Sequence, residues 1–399
     1  MGRTFNKSLA WRERAKIALV GGGQPHKQSN PPQPIMVAGA KGSHFWDADG
    51  NDYIDYLMGY GPMILGHAYP TVITAVAKAL EQGNVYNVGH TLEIELAEKL
   101  VEIIPSADRV AYFVGGSDAT SGALKFARAY TEKDKVIRCG YHGWHDWCHS
   151  TRGHLAASAD ATLSVGFNDI DALEDLFKDN PGEIACLIME PSGHDLPKEG
   201  YLENVKSVVN ANDAVLIFDE VKTGFRYALG GAQEYFGVTP DMSVFGKALA
   251  NGFATAVVVG RKDIMDEVSD VWVAATFHGE VSLVAAAMAT IAELEAKDGV
   301  DFMWKQGQKL LDGYREMTDR LEIDQARIAG IAPMPFFGLN ANSDKESLFR
   351  RTFYEATLDG GLYLPEGHIW FMSMSHSDND IAKTLNVCED ALKLAKART

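Results

Sequence analysis

Apolar runs that end in charged residues are the most regular feature of the chain. Residues 215–218 form such a run, and Asp219 and Glu220 follow it directly. This pattern is typical of central parallel strands in α/β proteins, because helices cover both faces of the sheet. Residues 184–189 repeat it and end before Glu190. We therefore predict parallel strands whose exits place carboxylates at the edge where open α/β sheets bind ligands.

Helical and hairpin patterns accompany these strands. A strand pattern at 110–114 leads into residues 119–130, where apolar side chains recur at the spacing of one helix face. Aromatic runs on both sides of residues 49–52 predict a β-hairpin, since Asp-Gly is a favoured hairpin turn. A short β-branched run at 254–259 predicts an antiparallel strand at the edge of the sheet.

A lysine stands at the exit of a further strand pattern. Residues 243–245 are followed by Gly246 and Lys247, and Lys247 lies 28 residues after Asp219. Pyridoxal phosphate (PLP) requires a lysine that can lose its proton to form a Schiff base, and an acid beside its ring nitrogen. Lys247 and Asp219 suit these two roles. The alternative is that Asp219 caps a helix or pairs with Arg226, while Lys247 is a solvated turn residue.

The amino-acid sequence around Asp219 and Lys247 supports the cofactor interpretation. Residues 216–226 and 245–247 resemble the cofactor-lysine region of the class III aminotransferases. Within that family, the resemblance is greatest to the glutamate-1-semialdehyde aminomutase branch. It rests there on Thr-Gly-Phe-Arg at 223–226 and Leu-Gly-Gly-Ala-Gln at 229–233. The resemblance implies an α/β fold of type I, in which a large domain with a mostly parallel sheet between helices carries a smaller α+β domain. The expected segments are residues 1–48 as N-terminal helix and arm, 49–290 as PLP-binding domain and 291–399 as small C-terminal domain.

The resemblance also implies further cofactor contacts. In addition to Lys247 and Asp219, they are Gly115, Gly116, Ser117, Tyr141, His142, Glu190, Val221 and Thr276. A Gly-Gly-Ser turn that opens a helix suits a phosphate dianion. Tyr141 is expected to stack on the ring, His142 is either packed or catalytic, and Glu190 either lies near the cofactor or anchors a loop. Thr276 is expected to reach the cofactor of the neighbouring subunit in a homodimer.

The substrate end departs from the aminomutase branch. The arm at residues 23–28 has no arginine where that branch binds the substrate carboxylate, and Lys27 supplies only a point charge. Tyr60 stands where tryptophan is usual, and His368 aligns with a glutamate. Trp144 either lines the substrate pocket or belongs to a structural aromatic cluster.

These departures favour a PLP-dependent aminotransferase that moves an amino group between a small-molecule donor and an oxo acceptor other than glutamate semialdehyde. A neutral or hydroxylated carbonyl compound is the expected kind of acceptor. Three alternatives remain open: the aminomutase itself, an amino-acid racemase or epimerase, and a non-catalytic PLP-binding domain. Retention of Lys247 and Asp219 disfavours the last of these.

The composition of the chain limits the classes of molecule that it is expected to bind. The net charge of −17 argues against nucleic acid and anionic membranes as partners. The four cysteines form no metal-ligand pattern and indicate reduced, buried thiols, so we expect no bound metal. No apolar run approaches the roughly 18 residues of a membrane span. We therefore expect a cytoplasmic enzyme.

Overall fold

The computed structural model describes residues 3–23, 34–148 and 153–399 of the chain. It divides into two compact units, Met1–Pro70 with Asp301–Thr399 and Thr71–Val300. The N-terminal segment shares a unit with the C-terminal one because the strand at Asp52–Asp55 pairs in parallel with the strand at Leu362–Tyr363. The sequence-based boundaries at 48 and 290 stay predictions.

The unit of residues 71–300 is built on a seven-stranded sheet with the order β4-β10-β9-β8-β7-β5-β6. Strands and helices are numbered here along the whole chain. The strands are β4 Arg109–Phe113, β5 Lys135–Cys139, β6 Thr162–Ser164, β7 Ile184–Met189, β8 Val215–Asp219, β9 Met242–Phe245 and β10 Ala256–Gly260. The helices are α2 Pro70–Leu80, α3 Thr91–Ile103, α4 Gly116–Thr131, α5 Ala156–Asp160, α6 Ile170–Asp179, α7 Tyr201–Ala211, α8 Ala232–Phe236, α9 Lys262–Glu267 and α10 Val281–Ala296, with a 3-10 turn at Lys247–Ala250.

Strand β8 shows why its sequence is apolar throughout. Val215 and Ile217 pack on one face of the sheet with α4, whereas Leu216 and Phe218 pack on the other face with α6 and α7. Because strand side chains alternate between faces, a strand covered on both sides needs an apolar residue at every position. The predicted parallel strands are confirmed by the pairing of β9, β8, β7, β5 and β6.

The strand predicted at residues 254–259 exists, but its predicted place at the edge of the sheet was wrong. Strand β10 is antiparallel, as expected, but it pairs with both β4 and β9 and so lies inside the sheet. All five of its residues are buried, which suits an interior strand. The edge strand on this side is β4, which is partly exposed along most of its length.

The other unit contains a four-stranded and a two-stranded sheet. Its strands are β1 Val37–Lys41, β2 His44–Asp47, β3 Asp52–Asp55, β11 Ala326–Ile331, β12 Met334–Leu339 and β13 Leu362–Tyr363. Its helices are α1 Asn6–Ala18, α11 Gly299–Arg320, α12 Asp344–Asp359 and α13 Asp378–Arg398, with a 3-10 turn at Val20–Gly22. The predicted hairpin is confirmed by the antiparallel pair β2 and β3. Across the described ranges, no helix has the length and apolar character that a bilayer span requires.

Candidate active site

Lys247 and Asp219 lie at the exits of neighbouring parallel strands. Asp219 is the last residue of β8 and pairs in register with Val244 of β9, whereas Lys247 follows β9 by two residues. Carboxyl ends of parallel strands share one edge of the sheet, so both side chains start from the same crevice. Lys247 has a φ of 46°, in the left-handed region that non-glycine residues rarely occupy. Such strained positions cluster at functional sites.

The amine of Lys247 is poorly solvated. Burial, reinforced by the charge of Lys222, lowers the pKa of the Lys247 ammonium to about 8, against the opposing effect of Asp219 and Glu190. A lysine of this kind has a substantial neutral fraction near neutral pH and can act as a nucleophile. The alternative of a solvated turn residue does not fit this environment.

Asp219 is held by donors rather than by a cation. Its Oδ2 lies 2.8 Å from Nδ1 of His142, and its Oδ1 accepts the backbone N–H of Val221 at 3.1 Å. Both Asp219 and His142 are buried. The His142 ring lies nearly parallel to that of Trp147, with 6.0 Å between centroids. His142 is therefore a packed residue that also orients the acid.

Glu190 anchors the loop that bears Tyr141. Its Oε2 accepts the backbone N–H of Tyr141 at 3.2 Å, and its Oε1 forms an ion pair with Lys222. Tyr141 is 53% exposed. This arrangement agrees with a loop-anchoring role for Glu190, and the stacking of Tyr141 on a cofactor ring stays a prediction.

The start of α4 is closely packed against the loops beside it. A Cβ on Gly116 would lie 3.1 Å from Cγ1 of Val221, and a Cβ on Gly143 would lie 2.2 Å from Oγ of Ser117. Gly143 also has a φ of 116°, which an L side chain rarely adopts. The Tyr141 loop and the helix start thus meet at distances that only glycine permits. Gly115 precedes the helix, whose first N–H groups suit an anion.

The loop carrying Thr276 is attached to the same helix. Nε2 of His278 lies 3.1 Å from Oδ2 of Asp118, which also accepts the N–H of Val114 at 3.2 Å. Thr276 itself is exposed. The tether places the Thr276 loop beside the first turn of α4.

The candidate substrate residues fall in separate places. Tyr60 and His368 are brought together, with their rings edge to face and 5.4 Å between centroids, in a cavity of about 510 Å³. Trp144 is 76% exposed and lines a different cavity, of about 550 Å³, beside α4. Lys27 lies outside the described residues.

Sequence reasoning missed several residues that shape this site. Thr120 donates to the carbonyl of His142 at 2.8 Å, and Ser121 accepts from Nε1 of Trp147 at 2.8 Å. Both hydroxyls lie on α4, one turn after Ser117. Their helical spacing from Ser117 was the sequence signal that could have indicated that they lie on the same side of the helix. Lys222 was missed as well, although it lies only three residues after Asp219 in the sequence. Glu220 proves structural, since it accepts the N–H groups of Ala232 and Gln233 at 2.8 Å.

These residues fit PLP. A poorly solvated lysine, a buried and oriented acid, an exposed aromatic ring and a glycine-lined helix start each match one part of that molecule. The fold and the site define a PLP-dependent enzyme of fold type I.

The comparisons with known proteins identify the family. The model of the family "Aminotransferase class-III" matches residues 25–392, and the chain belongs to this family. It is 36% identical to glutamate-1-semialdehyde 2,1-aminomutase of Methanocaldococcus jannaschii, with 98% of this chain and 99% of that protein covered. It is 33% identical to 3-aminobutyryl-CoA aminotransferase of Cloacimonas acidaminovorans, with 98% and 97% covered. Its fold matches the PLP internal aldimine form of the FumI protein of Sphingopyxis sp. MTA144 with a TM-score of 0.92, 27% identity and coverage of 98% and 97%. The protein is therefore a PLP-dependent transaminase of class III, as the sequence predicted.

Proposed function

We propose that this protein is an intermolecular aminotransferase that moves an amino group from a small-molecule donor to an oxo acceptor, through a Schiff base on Lys247. The observation that carries the choice of substrate class is the pairing of His368 with Tyr60 in one cavity. The resemblance to the aminomutase branch implies a glutamate at the position of His368. His368 is fixed there by its Nδ1, which donates to the carbonyl of Ile369 at 2.8 Å.

The charge around this cavity supports a substrate with a neutral distal group. Two charged side chains line it, Arg350 and Glu366, and they form an ion pair at 3.1 Å. A substrate carboxylate would have to compete with Glu366 for the guanidinium, and because these side chains are 41% and 48% exposed, the competition disfavours it only modestly. The absence of arginine from residues 23–28 removes the other bidentate partner that a carboxylate prefers.

The roles of the residues follow from their placement. When bound, PLP supplies an aldehyde that takes up the amino group and a ring that stabilises negative charge on the adjoining carbon. Lys247 would hold the cofactor through its Nζ, and the same amine would move a proton at the substrate carbon. Asp219 holds a proton on the ring nitrogen, and His142 orients Asp219. Gly115, Gly116 and Ser117 bind the phosphate.

A homodimer belongs to this proposal, with Thr276 binding the phosphate of the neighbouring subunit's cofactor. Thr276 is exposed, and near it Trp272 and Phe277 are 81% and 56% exposed. Clustered exposed aromatic side chains favour an interface between protein chains. Light scattering of the purified protein measures the assembly, and a monomeric holoenzyme would contradict this part of the proposal.

The aminomutase is the second candidate, because its Methanocaldococcus representative is 36% identical over nearly the full length. Sequence identity at this level does not distinguish between the two activities, since 3-aminobutyryl-CoA aminotransferase is 33% identical over a similar span. None of the relatives described above is named a racemase, and the retained Lys247 and Asp219 disfavour a non-catalytic domain.

Half-reactions with a panel of amines and amino acids test the proposal. We expect neutral or hydroxylated amines to convert the holoenzyme to its pyridoxamine form, as seen in the visible spectrum, and Lys247→Ala to abolish the conversion. Faster turnover of glutamate 1-semialdehyde than of any intermolecular pair would establish the aminomutase instead. Exchange of solvent deuterium into the substrate without net transfer would establish a racemase, and absence of any spectral response would leave only a binding domain.

A further inference from the structure

A second lysine stands at the same edge of the sheet as Lys247. Lys222 follows β8 by three residues, Lys247 follows β9 by two, and Glu190 follows β7 directly. The three strands are parallel neighbours, with Met189 beside Phe218 and Asp219 beside Val244. Their carboxyl ends therefore bring two lysines and two carboxylates into one crevice.

Lys222 is held within this crevice rather than extended into water. Its Nζ forms an ion pair with Oε1 of Glu190, and the two side chains are only 18% and 12% exposed. The other oxygen of Glu190 accepts the N–H of Tyr141 at 3.2 Å, so Glu190 is fixed at both oxygens. A solvated lysine would extend its ammonium outward to water. Charges with so little exposure are weakly screened and act on their neighbours.

We propose that Lys222 is a positioning residue for the reaction at Lys247: its ammonium, held by Glu190, repels a proton on the Lys247 amine and so favours the neutral nucleophile. A neighbouring cation is an established way of activating a lysine for Schiff-base chemistry. The inference rests on the role of Lys247 in the proposed function.

The surroundings of Lys247 support this assignment. Four charged groups act on its amine: Lys222 and Arg226 favour loss of the proton, whereas Asp219 and Glu190 oppose it. After burial, Lys222 has the largest effect on the pKa of Lys247. Removing this cation leaves burial and Arg226 opposed by two carboxylates, so we expect the pKa of Lys247 to rise.

Chemical labelling of the apoprotein tests the inference without requiring turnover. The rate at which an amine-reactive acetylating reagent modifies Lys247, located by mass spectrometry, is followed against pH. We expect Lys222→Met to move the midpoint of this profile upward by about one unit, and Lys222→Arg to move it much less because the charge is kept. In the holoenzyme, the pH midpoint of the visible absorption band should move upward as well.

Two further variants make the test decisive. Glu190→Gln keeps an acceptor for the Tyr141 N–H but removes a negative charge, so its midpoint should move downward, opposite to Lys222→Met. Lys262→Met removes one charge from the exposed start of α9 and should leave the midpoint unchanged. An unchanged midpoint in Lys222→Met, with the fold intact by circular dichroism, would overturn the inference, as would shifts of the same sign in Lys222→Met and Glu190→Gln. A protein that shows the predicted shifts but no amino transfer would contradict only the proposed function.

Discussion

His142 Nδ1 lies 2.8 Å from Asp219 Oδ2, and both side chains are buried. Because a carboxylate only accepts, the hydrogen resides on Nδ1 and the imidazole fixes the direction of the acid. The hydroxyl of Thr120 in turn donates to the carbonyl of His142. The acid at the end of β8 is thus oriented by a loop that follows β5, and that loop is attached to α4, whose first turn contains Ser117.

Replacing His142 should weaken cofactor binding. In His142→Ala the buried Asp219 loses a donor, a change that typically costs about 1–3 kcal/mol. We expect PLP affinity to fall by roughly tenfold or more, measured by fluorescence titration of the apoprotein. His142→Asn keeps an N–H at similar reach and should recover most of the affinity. Equal affinities for wild type and His142→Ala would show that the hydrogen bond does not orient the acid.

The contact between Gly143 and Ser117 gives a second prediction. In Gly143→Ala the new Cβ would meet Oγ of Ser117 at 2.2 Å and its Cα at 2.9 Å, at a φ of 116°. The Tyr141 loop must therefore move away from the first turn of α4, and the strained backbone itself costs on the order of 1–3 kcal/mol. We expect a folded protein whose PLP affinity is reduced at least roughly tenfold. Gly153→Ala, where nothing lies within 4 Å of the added Cβ, controls for backbone strain alone, and a similar loss there would remove the steric explanation.

The contrast between Lys247 and Lys222 shows which features of the site can be predicted from the sequence alone. Lys247 and Asp219 could be predicted because each lies at the end of an apolar strand pattern, and a local pattern determines that position. The pairing of Lys222 with Glu190 depends on which strands are neighbours, and β7 and β8 are 25 residues apart in the chain. The same reason explains β10, whose local pattern indicates a strand but carries no information about its place between β4 and β9.

The cavity of Tyr60 and His368 should affect substrate binding more than the chemical step. Tyr60→Ala removes the ring that lies edge to face with His368, and we expect the KM for the best amine donor to rise roughly three- to tenfold with little change in kcat. Tyr60→Phe keeps the ring and should behave like the wild type. Steady-state kinetics with two donors of different length provides the measurement. A fall in kcat at constant KM would place Tyr60 in the chemistry instead of the substrate pocket.

Burial of Lys247 should make the apoprotein's stability depend on pH in a defined direction. Below about pH 8 the ammonium is present in both the folded and unfolded states, so its burial cost is fully expressed. Between about 8 and the ordinary value of 10.5, the unfolded state binds more protons than the folded state, and the free energy of unfolding rises with pH. Lys247→Met lacks this group and should be more stable than the wild type below pH 8, by on the order of 3 kcal/mol, with the difference narrowing above that pH. Urea unfolding of both apoproteins at pH values on either side of 8 measures the difference, and a difference that stays constant with pH would show that the Lys247 ammonium is solvated in the folded state.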